Sequence, residues 1–327
     1  MNWLITGGCG FIGLNLVKNL IEEKGHYIRI VDNFSVGTPK DLSVICEFNE
    51  IDENISPCTT QDKVDLIMGD ILDENLALRV AQNMDIIVHL AANTGVAPSV
   101  EDPRSDCLNN VIGTLNYLEA ARHNQVKRLI FASSGATIGE CIPPIHEELP
   151  PHPVSPYGAS KLACESYCSV YYRTYGLETV SLRFGNVYGQ FSSSKNSVVA
   201  KFIKRAIDGK PLEIYGDGKQ TRDFIYIDDL VEAIRLSTVS KQAAGETFQI
   251  ATNKETTIRE LTNNLLAILK DLGIQNVKSY NIAPLKGDVR RNYSDTSKAK
   301  RILGWEARTG IIDGLKKTSR WFLFENC

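Results

Sequence analysis

A turn carrying three spaced glycines between an apolar run and an amphipathic run constrains this chain more than any other feature. The segment Thr6-Gly7-Gly8-Cys9-Gly10-Phe11-Ile12-Gly13 follows the apolar stretch at 3–6 and leads into a helical pattern at 11–23. Glycines at spacing Gly-x-x-Gly-x-x-Gly permit a tight turn, close approach of a pyrophosphate, and close packing of a helix on a strand. The helix start then offers unpaired N–H groups and a positive dipole end to the phosphates. A glycine turn can also be merely structural; its position, after the first strand and before the first helix, points to a dinucleotide.

The pattern beyond the turn supports the same architecture. Strand candidates at 3–6, 27–31, 65–68, 86–90, 128–132 and 179–182 have interiors read as apolar on both faces, as in a parallel sheet covered by helices. Helix candidates near 11–23, 73–82, 106–123 and 156–175 alternate with them. The expected fold class is α/β, a doubly wound parallel (Rossmann) sheet. The stretch 34–63 is long for one connection and is expected to hold a short helix near 39–47 and a mobile surface loop containing Pro57. After Gly189 the pattern changes: a Gly/Ser/Asn cluster at 189–197, a helix near 198–208, a turn at Gly216–Gly218, and helices near 257–270 and 311–324. The expected organisation is a dinucleotide domain of 1–188 plus about 224–252, interleaved with a smaller α/β C-terminal substrate lobe of about 189–223 plus 253–327.

Composition bounds the function classes. A net charge of -3 over 327 residues argues against a nucleic-acid-binding surface. No apolar run approaches the roughly 18 residues needed to span a bilayer, and residues 2–6 read as a strand rather than a leader. Eight scattered cysteines without a Cys-x-x-Cys pair read as reduced thiols of a cytoplasmic protein. The five histidines show no ligand spacing, so no metal is expected.

Two further places carry chemistry. The second strand candidate ends in Val31-Asp32-Asn33, where a carboxylate can accept hydrogen bonds from adenosine ribose hydroxyls and repel a 2′-phosphate, favouring NAD over NADP. Asp70 could similarly meet the adenine. Phe131-Ala132-Ser133-Ser134-Gly135-Ala136 is a polar strand end, and Tyr157-Gly158-Ala159-Ser160-Lys161 opens a helix after a proline-rich loop. Tyrosine and lysine four apart share one helix face, and a lysine there can lower the tyrosine pKa so that a phenolate acts as base.

With these motifs in place, the chain resembles the extended short-chain dehydrogenase/reductase family, in its nucleotide-sugar epimerase and dehydratase branch. The likeness runs from the glycine turn through His89-Leu90-Ala91-Ala92, Asn110-Val111-Ile112-Gly113-Thr114 and Leu182-Arg183-Phe184-Gly185-Asn186-Val187-Tyr188-Gly189 to Asp295-Thr296-Ser297-Lys298-Ala299. The resemblance implies that Tyr157 takes the proton from a sugar hydroxyl as hydride leaves its carbon for NAD. It implies that Ser134 hydrogen-bonds or relays that proton, and that Lys161 also holds the nicotinamide ribose. Cofactor contacts are expected from Gly7, Gly10, Phe11, Ile12, Gly13, Asp32, Asn33, Asp70, Ile71, Leu90, Ala91, Ala92, Thr94, Tyr157, Lys161 and Phe184. Substrate contacts are expected from Ser134, Asn186, Val199, Tyr215, Arg222, Arg290 and Asn292. Arg222 and Asn186 would meet a diphosphate, and Tyr215 would stack on the base of a UDP-linked sugar. A homodimer built on the helices near 106–123 and 156–175 is also implied.

Within the branch, dehydratases and decarboxylases usually carry an acid just after the strand-end Ser/Thr, because loss of water or carboxylate needs extra acid–base groups. Here Gly135 and Ala136 stand instead, which resembles the 4-epimerases. Alternatives are a dehydratase or decarboxylase drawing on Glu140 or Glu147, and an NAD-binding regulatory relative without catalysis. Two positions depart from the branch pattern: Ile138 replaces a tyrosine, and Leu285 stands where a second diphosphate arginine is usual. Lys286, Arg290 or Arg291 could compensate, with Arg290 favoured. Asn292, a large tyrosine in epimerases restricted to unsubstituted hexoses, suggests room for a UDP-N-acetylhexosamine.

Overall fold

The computed structural model describes residues 1–51, 60–284 and 289–325. Its centre is a sheet of eight strands: β1 (Asn2–Thr6), β2 (Tyr27–Asp32), β3 (Asn49–Glu50), β4 (Lys63–Met68), β5 (Ile86–His89), β6 (Arg128–Ser134), β7 (Glu178–Phe184) and, at the far edge, Thr247–Ile250. Between the last two in chain order lie β8 (Asn186–Tyr188), β9 (Leu212–Tyr215), β10 (Thr221–Arg222) and β11 (Phe224–Tyr226), which makes Thr247–Ile250 β12. The spatial order is β12-β7-β6-β5-β1-β2-β4-β3, and every ladder is parallel. The chain therefore reverses direction of travel between β1 and β5, and the carboxyl ends of those strands open the crevice where ligands bind in such sheets.

Apolar side chains cover both faces of the sheet. One cluster joins Ile5, Ile28 and Val88 to Leu16, Val17 and Leu20 of helix Phe11–Glu23 and to Leu230 and Ile234 of helix Ile227–Val239. The other joins Leu4, Val31 and Ile87 to Leu76 and Val80 of helix Glu74–Val80, to Tyr117 and Leu118 of helix Gly113–His123, and to Cys164 and Cys168 of helix Pro156–Tyr175. The sandwich of layers is the one expected from apolar strands.

Not all strand interiors are apolar, however. Arg29 and Arg128 are fully covered, and each finds acceptors within the protein. Arg29 donates to the carbonyls of Val80 and Gln82, and Arg128 to Glu178 and to the carbonyls of Ser237 and Ser240. A buried guanidinium is tolerable only because its donors find such acceptors.

The helix expected near 106–123 is three pieces: Pro103–Cys107, a wider π turn at Leu108–Ile112, and Gly113–His123. The short helix expected near 39–47 is Pro39–Ser43, capped by Thr38 and Asp41. The loop containing Pro57 lies outside the described residues. Beyond β7, short pairs build a second group of elements: β8 with β11 in parallel, β10 with β13 (Thr256–Thr257) antiparallel, and β9 with β14 (Ser279–Ile282) in parallel. Helices Val198–Ile207, Ile258–Asp271 and Ile311–Arg320 accompany them.

Candidate active site

A cavity of about 930 Å³ runs along the carboxyl edge of the sheet and under the elements that follow β7. One end is the glycine turn. Gly7 has φ +69, and a Cβ there would come within 2.9 Å of the Ala91 amide nitrogen. At Gly13 a Cβ would fall 2.5 Å from the Gly7 carbonyl oxygen, so the helix can begin against the turn only without a side chain. Gly10, Phe11, Ile12 and Gly13 all face the cavity, with the unpaired amides of the helix start behind them.

Asp32 closes the same end. Its carboxylate accepts from the backbone N–H groups of Cys9 and Phe34, both at 2.9 Å, which aims it across the turn. Burial raises its pKa, and those two hydrogen bonds oppose the shift. Asn33, Ile71, Leu90, Ala91, Ala92, Thr94 and Phe184 line the wall beyond it. Asp70 does not line the cavity; it accepts from the Asn33 amide at 2.9 Å and thus sets the orientation of a residue that does.

At the middle of the cavity stand Ser134, Tyr157 and Lys161. The helix that carries two of them is specified locally: Ser155 caps it through the Gly158 N–H, Pro156 occupies its first turn, and Gly176 ends it at φ +73. Tyr157 and Lys161 do share a face, with the ammonium 6.0 Å from the tyrosine ring centroid. Lys161 donates to the Ala132 carbonyl at 2.9 Å, locking the helix to the end of β6.

The surroundings of the tyrosine pull its pKa both ways. Burial raises the Tyr157 pKa, a hydrogen bond to Ser134 lowers it, and the Asp106 charge raises it further. Lys161 is itself pushed down by burial, with nearby acidic groups and thiols opposing the shift. Ser134 favours the phenolate through that hydrogen bond, and the Lys161 ammonium on the same helix face and a positive nicotinamide ring would add to it. Beneath Lys161, His89 is held neutral, its pKa pushed down to about 3 by burial and by the lysine charge, with Nδ1 2.9 Å from the Thr6 hydroxyl.

Behind the site, Glu165 lies one turn beyond Lys161. It accepts from Arg183 at 2.8 and 2.7 Å and from the Ser133 hydroxyl at 2.5 Å. This buried cluster ties the helix to β6 and β7.

The far end is built by the second group of elements. Asn186, Val199, Tyr215 and Arg222 reach the cavity, as expected. Arg222 is held there because its neighbour Asp223 is buried and accepts from Thr252, Asn253 and Ser294, pinning the crossing from β10 to β11. Arg290 and Asn292 do not reach the cavity. The Arg290 side chain is exposed and its carbonyl accepts from the Thr221 N–H, while Asn292 donates its N–H to the Thr221 hydroxyl. Leu285 and Lys286 lie outside the described residues, and Arg291 pairs with Glu255. Lys195, Lys201, Glu213, Gln220 and Gly37 also line the cavity, and the sequence reading does not single them out. A lysine in a Ser/Asn-rich loop just ahead of a helix is the available signal for the first of them.

The acid content of the cavity is small. Among the described residues its carboxylates are Asp32, at the glycine turn, and Glu213, which is bound to Arg205 at 2.8 Å near Tyr215. Neither stands beside Ser134 and Tyr157. Glu140 and Glu147 do not line the cavity, and Glu147 accepts from the Gln249 N–H of β12 at 2.7 Å. A Cβ at Gly135 would meet nothing within 4 Å, so a side chain would fit where none is present. Among the described residues no group of three His, Cys, Asp or Glu side chains could hold a metal ion.

A parallel sheet with a glycine turn at its switch point and a Ser–Tyr–Lys set beside its strand ends defines a dinucleotide-dependent enzyme of the extended short-chain dehydrogenase/reductase type. Residues 3–251 match the NAD dependent epimerase/dehydratase family, and the chain belongs to it. The chain is 34% identical to a UDP-glucose 4-epimerase of Mycolicibacterium smegmatis, over 98% of each. The solved UDP-glucose 4-epimerase of Thermotoga maritima with UDP-glucose is 36% identical, with a TM-score of 0.86 over 98% of both chains. That of Thermus thermophilus in complex with NAD is 32% identical, with a TM-score of 0.84 over 98% of this chain and 99% of that one. The cofactor is NAD, which the glycine cradle and Asp32 fit.

Proposed function

We propose that the chain is an NAD-dependent 4-epimerase of a nucleotide sugar, a UDP-hexose or UDP-N-acetylhexosamine. The observation that carries this reading is the absence of any carboxylate beside Ser134 and Tyr157 among the described residues of the cavity wall. Oxidation at C4 and its reversal need one group to remove and restore a single proton, which Tyr157 supplies with help from Ser134. Elimination of water or loss of a carboxylate needs further acid–base groups that this wall lacks. NAD, when bound, accepts the C4 hydride and returns it. Lys161 fixes the helix that presents Tyr157 and stands where it can hold a ribose hydroxyl. Arg222, Asn186 and the start of helix Val198–Ile207 are suited to a diphosphate, and Tyr215 to stacking on the base.

The protein works as a cytoplasmic homodimer. Helices around the site leave Leu108 and Ile112, and Tyr167 and Val170, exposed, apolar surface suited to a two-fold contact. Cys9, Cys46, Cys107, Cys141, Cys164 and Cys168 are free thiols, which fits a reducing compartment. The sequence 1–188 with about 224–252 forms the cofactor domain, and the remainder the substrate lobe; the pairing of β12 with β7 supports that interleaving. The test is a panel of UDP-glucose, UDP-galactose, their N-acetyl forms and UDP-glucuronate, read by NMR for configuration at C4. Interconversion of one epimer pair is expected, and Tyr157→Phe should abolish it while leaving NAD bound. A stable keto product would support the dehydratase reading instead.

A further inference from the structure

The wall of the cavity holds a cation, Lys195, with no role in the proton and hydride transfers. Lys195 sits in the loop between β8 and helix Val198–Ile207, and it lines the cavity. The loop is built rather than slack. Ser192 donates to the Gly189 carbonyl at 2.6 Å, and the Lys195 N–H to the Ser192 carbonyl at 3.0 Å. Lys204, on the helix that follows, donates to the carbonyls of Ser193 and Lys195, both at 2.9 Å. The Lys195 backbone is thus stapled to the helix while its side chain meets the cavity.

That side chain is half-buried, and burial lowers its pKa; among the described residues no ion pair holds it, and the cavity carboxylate Glu213 is taken by Arg205 and Lys201. A desolvated ammonium without a counter-charge destabilises the free protein, and such groups persist where a ligand brings the opposite charge. Three residues on, helix Val198–Ile207 begins, with N–H groups that have no partner inside the helix. Two other cations offered from sequence are placed elsewhere: Arg290 is exposed and does not line the cavity, and Arg291 is paired with Glu255. Arg222 lines the cavity but spends one amino group on the carbonyls of Thr221 and Val289.

We propose that Lys195, together with the start of helix Val198–Ile207, is a second cationic contact to the substrate diphosphate beside Arg222. This rests on the nucleotide-sugar reading above. The contact is a binding one, present in ground and transition states alike, so its loss raises KM and leaves kcat nearly unchanged.

The experiment is calorimetric titration of the NAD-bound protein with UDP, UDP-glucose and UDP-glucuronate, for the native chain, Lys195→Met and Lys195→Arg. Lys195→Met is expected to weaken UDP and UDP-glucose equally, by about 10- to 100-fold, with a melting temperature in the absence of nucleotide no lower than that of the native chain. Lys195→Arg should retain most of the affinity. UDP affinity of the native chain should also fall as pH rises through the lowered lysine pKa of the free protein, because the bound state favours the ammonium; Lys195→Arg should not show this fall. Unchanged UDP affinity in Lys195→Met overturns the proposal. So does a loss confined to UDP-glucuronate, which would put the lysine on the sugar carboxylate, or a loss accompanied by a lower melting temperature. Failure of the native chain to bind UDP would overturn the nucleotide-sugar reading itself.

Discussion

Replacing Glu165 by Gln tests whether the buried cluster behind the active site holds the catalytic helix. The Glu165 and Arg183 side chains are 6% and 7% exposed, and the carboxylate takes two hydrogen bonds from the guanidinium and one from Ser133. Removing one partner of such a pair leaves a charge uncompensated in the interior, which costs about 3–5 kcal/mol. Arg183 is already short of acceptors, since its Nη1 has none among the described residues. Little remains nearby to relieve it. A double variant, Glu165→Leu with Arg183→Met, removes both charges and leaves only the Ser133 hydroxyl unsatisfied, at about 1–3 kcal/mol. Denaturant titration followed by circular dichroism should therefore show the double variant more stable than the single one. Activity should separate differently. Lys161 and Tyr157 lie one and two turns before Glu165 on the same helix, so both variants should lose kcat, by up to about 100-fold if the tyrosine shifts by about 1 Å. A single variant within about 1 kcal/mol of the native chain, or a double variant no better than the single, would refute the reasoning.

The same substitution should be costly at one glycine and silent at another. Gly13→Ala places a methyl 2.5–2.6 Å from the backbone of Gly7 and Gly8, and should cost about 1–3 kcal/mol and most of the NAD affinity; Gly135→Ala meets open space and should change neither. Thermal denaturation and cofactor titration check both, and an unperturbed Gly13→Ala protein would contradict the geometry of the turn. Ser134→Ala removes the hydrogen bond that lowers the Tyr157 pKa, so the tyrosine should ionise at higher pH. Because the phenolate is the reactive form, the acidic limb of the kcat/KM profile should move to higher pH, and a limb left in place would show that another group controls it.

Much of this is legible in the sequence where one physical rule dominates. Strands β1, β2, β4, β5, β6 and β7 stand out because most of their residues are apolar on both faces, a signature of a covered parallel sheet. The glycine turn is legible because backbone contact there forbids any other residue. Strand β12 is not, because Thr-Phe-Gln-Ile is short and carries Gln249, whose fully covered side chain meets Ser294 across the chain. The π turn at Leu108–Ile112 is hidden for a related reason. Asn110 is buried there, its amide donating to Asn93, Asp106 and Ser160, and such long-range pairing leaves no local periodicity to read. Counting cations near Leu285 favours Arg290, since sequence offers distance along the chain and not direction. The Arg290 carbonyl is taken by β10 and its side chain is exposed. Lys195 escapes a sequence reading because its surroundings look like a polar loop.

Hydride is expected to leave C4 and return to the same carbon, since among the described residues the wall around Ser134 and Tyr157 offers no carboxylate to carry the reaction further. This return is tested most directly with UDP-glucose deuterated at C4, or its N-acetyl analogue if that is the substrate found, followed by deuterium NMR of the products. The expected product is the 4-epimer with deuterium retained at C4 and no accumulated keto sugar. Deuterium transferred to C6 of a 4-keto-6-deoxy product, or lost to solvent, would contradict it.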